Sequence, residues 1–159
     1  MKHVFSYCEL RAFKGSQDKF TVFGLHIPTL ELAKHTASLV YRDHAATLKI
    51  ATASRSVVCL PDQRFLTTTL PYPIQHVPMA NMFWIKACDL AQGMKIAVTP
   101  KGLVRPANIY SPQTVGHTVC WDIVSRISAT DILEHYGVAV DDCSTYTVNE
   151  MLLKSYDCA

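Results

Sequence analysis

Between Asp62 and Val98 strand-forming and chain-reversing residues follow one another so closely that this part of the chain reads as sheet. Phe65-Leu66-Thr67-Thr68-Thr69 is aromatic and β-branched, Pro71 and Pro73 break the next stretch, and Trp84 to Val98 returns to strand-like sequence around Gly93. The same chemistry recurs in Val4–Cys8, Lys19–Phe23, Thr47–Ala51, Ser56–Leu60 and Lys95–Val98. Gly15-Ser16-Gln17-Asp18 lies between the first two of these runs and suits a hairpin, since Gly and Asp accept turn dihedrals that β-branched residues resist. Two stretches suit short helices. Thr29 to His35 follows Pro28, and Ala129 to Tyr136 ends at Gly137 as a capped helix would. The expected fold is therefore mostly β, with one or two short helices.

A chain of 159 residues, 49% of them hydrophobic, is about one domain long and able to bury a core. We expect one domain over 1–159, with a long loop around 99–117 where Pro100, Pro106, Pro112, Gly102 and Gly116 interrupt any ladder. The 15 basic and 13 acidic residues are scattered, so no stripe of positive charge points to nucleic acid. Cys8, Glu9 and Arg11 interrupt the N-terminal sequence, and nowhere do about 18 apolar residues run together, which predicts neither an export signal nor a membrane span. The expected location is cytoplasmic.

Six cysteines, Cys8, Cys59, Cys88, Cys120, Cys143 and Cys158, read as thiols and mostly as small core residues, because a chain of this size and apolarity does not need covalent staples. No Cys-x-x-Cys pair occurs, and His117 to Cys120 is the closest Cys/His spacing, so no metal or other cofactor is expected. His26, His35, His44, His117 and His135 offer no fixed spacing to a carboxylate from which a hydrolytic triad follows.

Asp62 to Pro73 resembles the signature of the hedgehog/intein (Hint) family, in which an acidic turn and a strand lead into Thr-x-x-His-Pro. Here Thr69 keeps its place and Tyr72 stands where the histidine would be. Trp84, Ala87, Asp89, Leu90, Gly93 and Ile96 are similar in order and spacing to the segment that follows in inteins. Val119 to Ile127 is similar to the strand that opens the C-terminal part, and Val140-Asp141-Asp142 with Ser144 to Asn149 resembles the last hairpin. Taken singly, Trp84, Leu90 and Ile96 suit the core of any β domain, and Gly93 suits any turn of positive φ. The resemblance implies a compact, curved Hint-like β fold and a domain that cuts or splices its own backbone.

In that chemistry a junction thiol attacks the preceding carbonyl, and the site protonates the leaving amine and holds the oxyanion. The resemblance makes Cys8 the candidate nucleophile and Thr69, Tyr72 and His76 the candidate acid–base and oxyanion groups. A phenol of pKa about 10 is a weak acid–base group at neutral pH, so Tyr72 implies a degenerate site, unless His76 takes the role. Asp142 and Cys143 place a carboxylate beside a thiol near the implied reaction centre, while Asp141 reads as a solvated turn residue. Cys158 completes the candidates. Inteins begin at their nucleophile and end in His-Asn, whereas Met1 to Tyr7 precede Cys8 here and the chain finishes in Asp157-Cys158-Ala159, so cleavage by asparagine cyclisation is not expected.

Two functions follow. The first is an intein-like self-processing domain, degenerate or inactive, whose partners are the flanking segments of its host protein. The second is a non-catalytic β module that binds another protein, with the motif residues serving as core and turns.

Overall fold

The computed structural model describes residues 19–26, 31–69, 81–99, 120–141 and 145–156. The described elements are β1 (Phe20–His26), β2 (Glu31–Ala51), β3 (Ser56–Cys59), β4 (Arg64–Thr68), β5 (Met82–Lys86), β6 (Lys95–Val98), β7 (Cys120–Ile123), β8 (Arg126–Val140), β9 (Thr145–Val148) and β10 (Met151–Lys154). A short 3-10 turn, Ala87–Asp89, follows β5.

The strands form two sheets. In the first, β8 pairs antiparallel along one edge of β2 from Ala37↔Val140 to Ala51↔Arg126. The other edge of β2 carries β1 at one end and β3 at the other. Register shifts between Arg42 and Ala45 and between Ala46 and Leu48 mark bulges, which bend a strand pair and increase its twist. In the second sheet β4 lies between β5 and a joint of two strands, pairing through Phe65↔Leu153 with β10 and through Thr67↔Ile96 with β6. Beyond this joint β6 pairs with β7, and β9 lies on the far edge of β10. Asn149 and Glu150 link β9 to β10 with positive φ at both, 51° and 64°, the hand that matches the twist of paired strands.

Phe20, Ile50, Phe65, Ile96, Val138 and Met151 are fully buried in one apolar cluster fed by both sheets. Each such side chain removed from water contributes about 1.5–3 kcal/mol. Polar side chains join the sheets where a backbone ladder stops. The Thr145 hydroxyl accepts from the Leu25 N–H and donates to the Leu25 carbonyl, both at 2.7 Å, and Thr147 Oγ1 donates to the Phe23 carbonyl at 3.2 Å. Side chains of β9 thus complete the edge of β1 that β2 leaves open.

Several sequence expectations are corrected. Glu31 to His35 and Ala129 to Tyr136, read as helix, are strand, because pairing along β1, β2 and β8 outweighs a weak local propensity. Gly137 is no helix cap: the Tyr156 ring packs against it so closely that a Cβ there would sit 2.8 Å from Tyr156 Cδ2. The consecutive strand runs β3 and β4 do not pair: a turn closed by Gln63 N–H to the Leu60 carbonyl, 3.1 Å, carries the chain from the first sheet to the second. The stretch 119–127, read as one strand, is split: β7 joins the second sheet and β8 the first, with buried Val124 at the crossing. Trp84, expected to be buried, is half-buried because β5 is an outer strand of its sheet, and Lys154 Nζ lies 5.3 Å from its ring centre. Leu90 is buried as expected, and Gly93 has φ +93°. The expected strand Val4–Cys8, the Gly15–Asp18 hairpin and most of the 99–117 loop lie outside the described residues.

Candidate functional site

Thr69 ends the β4 stretch. Thr67 and Thr68 are buried, with Thr67 Oγ1 donating to the Lys95 carbonyl at 2.6 Å, and Thr69, one residue beyond the strand, is exposed. The β4 ladder to β5 and β6 fixes where Thr69 is presented, at the end of the sheet from which residues 70–80 continue. Of the other sequence candidates, Cys8, Tyr72, His76, Asp142, Cys143 and Cys158 all lie outside the described residues. Their flanks are described. Asp141 is an exposed turn residue, as read from the sequence, ion-paired with Lys19 at 2.9 Å, and its N–H donates to the Thr36 carbonyl at 2.8 Å. Thr145 anchors the far side of 142–144 on Leu25. Thr145 pairs with Lys154 beside the start of β4, so this anchor and Thr69 lie toward opposite ends of that strand.

A second concentration of polar groups surrounds the turn before β4, where sequence reading assigned no role. Gln63, 2% exposed, accepts from the Tyr146 hydroxyl at 3.2 Å and donates from Nε2 to the carbonyls of Lys154 at 3.1 Å and Arg64 at 3.2 Å. Its backbone carbonyl receives the Ala87 N–H at 2.8 Å, which seats the 3-10 turn. Burial pushes the Cys59 thiol up to about 12, with the Asp62 carboxylate adding to the effect. Burial also raises the Tyr146 phenol well above its ordinary value, aided by Tyr156 and Cys59. Both groups are therefore neutral at physiological pH, and neither acts as a nucleophile there. Cys59, Cys88 and Cys120 are free; Cys59 is core as expected, whereas Cys88 is exposed and Cys120 half-buried. Among the described residues no three His, Cys, Asp or Glu side chains group as a metal site, and no helix is long and apolar enough to cross a membrane.

Next to this network is a cavity of about 230 Å³ lined by Asp62, Arg64, Lys86, Lys154 and Tyr156 with the buried Gln63 and Ser155. The Tyr156 hydroxyl donates to Asp62 Oδ1 at 3.3 Å.

The arrangement of the two sheets is that of inteins. A mutant Ssp DnaB mini-intein superposes with a TM-score of 0.65 at 18% identity, covering 87% of this chain and 83% of that one. A DnaB intein from Synechocystis sp. PCC 6803 gives 0.64 at 16% identity over 87% and 80%, and the PabCDC21-1 intein gives 0.64 at 19% over 88% and 72%. No family model matches the sequence, and no curated protein matches it. At these identities the likeness establishes the fold alone: the chain has the Hint fold of those inteins.

Proposed function

We propose that this chain is a single-domain, intein-like self-processing unit that acts once on its own backbone and is degenerate in its acid–base step. The supporting observation is that the match to intein structures runs over most of both chains; Thr69 of the Thr-x-x-His resemblance is exposed one residue beyond β4. In this reading the Cys8 thiolate attacks the carbonyl of Tyr7, the C–S bond forms as the C–N bond to Cys8 breaks, and the released amine takes a proton. Thr69 and Tyr72, or His76, serve the oxyanion and the amine, and Asp142, Cys143 and Cys158 are the remaining candidates for the reaction. The partners are the flanking segments of a host polypeptide, no cofactor takes part, and a reducing cytoplasmic setting keeps the thiols free.

The test is a fusion with distinguishable proteins at both ends, followed by intact mass with and without added thiol. We expect no ligated product and slow thiol-dependent cleavage before Cys8, with Tyr72→His raising that cleavage by about 10² or more if the imidazole restores acid–base catalysis. Efficient ligation by the unaltered chain would refute the degeneracy. Silence in both proteins would refute self-processing and leave a binding module.

A further inference from the structure

Arg64 on β4 stands directly opposite Lys86 on β5. Because Leu153 stands opposite Phe65, Lys154 on β10 falls level with Arg64 on the other side. Three cations therefore occupy one row across three adjacent strands, which at about 4.8 Å between strands spans about 10 Å. Like charges facing one another across a sheet are destabilising, and among the described residues no carboxylate is ion-paired with Arg64 or Lys86. The 230 Å³ cavity opens against this row, and Asp62 is the carboxylate in its lining. Lys154 also lies over the Trp84 ring at 5.3 Å, which places an aromatic face beside the row.

We propose that this pocket docks an acidic stretch of polypeptide, whose carboxylates neutralise Arg64 and Lys86, with Lys154 at the end of the row. A row about 10 Å long is wider than one phosphate and suits side chains spaced along an extended peptide. The Asp62 carboxylate repels a compact dianion but accepts a peptide N–H, which again favours a peptide. That the acidic stretch belongs to the host polypeptide rests on the self-processing reading; the site itself does not.

The experiment titrates the isolated full chain with a fluorescein-labelled hexaglutamate peptide by anisotropy, while Trp84 emission is followed with unlabelled peptide. We expect saturable, salt-sensitive binding that perturbs the emission, weakened about tenfold or more in Arg64→Gln/Lys86→Gln and unchanged in Lys49→Gln, an exposed lysine on β2. Circular dichroism confirms that each variant is folded. Absence of saturation, equal affinity in the folded double variant, or displacement of the peptide by an equal concentration of inorganic phosphate would each overturn the proposal. A chain that binds the peptide but fails the fusion test keeps this site and loses the self-processing reading. One that processes its flanks but ignores the peptide does the reverse.

Discussion

Gln63 supplies what an apolar side chain of its size cannot: an acceptor for the buried Tyr146 hydroxyl and donors for the Lys154 and Arg64 carbonyls. Replacing it with Leu leaves that hydroxyl unsatisfied, so Gln63→Leu should lower the unfolding free energy in urea at pH 7 by about 1–3 kcal/mol. The neighbouring Cys59 gives a pH signature. Its thiol ionises near its ordinary 9.0 when unfolded and at about 12 when folded. Its stabilisation is therefore fully present below about pH 9 and is lost as pH rises toward 12, a total of about 4 kcal/mol at 1.36 kcal/mol per pH unit. Between pH 9 and 10, where an unfolded phenol of pKa about 10 adds a smaller share of the decline, Cys59→Ala should make the fall of urea midpoints shallower, and an unchanged slope would disprove the assignment. None of this network was legible in the sequence. Gln63 and Tyr146 are 83 positions apart, and an amide before a strand carries no mark of the hydroxyl that the fold will bring to it.

The strands themselves were legible wherever β-branched and aromatic residues came in short runs, as at Ser56–Cys59, Arg64–Thr68 and Lys95–Val98. They were illegible where the stabilising partner is remote. Ala129 to Tyr136 has helix-compatible residues and a following glycine, but its pairing with Ala45, Ala46 and Leu48 decides the conformation. The edge of β1 makes the same point. Its Leu25 N–H and its Phe23 and Leu25 carbonyls are met by threonine side chains from β9, a device with no periodic signal. Thr145→Val keeps the shape and removes both bonds to buried Leu25. It should cost about 2 kcal/mol or more and speed exchange of the Leu25 amide, whereas Thr147→Val, which loses one longer bond, should cost less. Equal effects of the two substitutions would count against this account of the edge.

Across the whole molecule the sequence marked the pieces and left their allocation to sheets open, since nothing in Leu60-Pro61-Asp62 or in Val124-Ser125 announces a change of sheet. The candidate residues repeat this: Thr69 was singled out by its motif alone, while the cationic row required the register of three strands. Arg55 shows how the sheets are then held together. It sits in the turn between β2 and β3, its side chain 10% exposed, and donates to Asp122 at 3.0 Å and to the Thr99 carbonyl at 2.8 Å, so one guanidinium ties the first sheet to both β7 and the end of β6. Asn149 adds a parallel tie, its amide donating to the Ser56 carbonyl at 2.6 Å. Arg55→Ala should therefore cost about 2–3 kcal/mol in urea unfolding, because it strands a half-covered carboxylate as well as a carbonyl. Arg55→Lys should recover less than half of that loss, since a single ammonium cannot span both acceptors as the planar guanidinium does. The gap between wild type and Arg55→Ala should shrink only slightly in 1 M salt, as shielded pairs are weakly screened. If Lys restores full stability, or salt erases the difference, Arg55 acts as a surface charge and the sheets are joined by their apolar core alone.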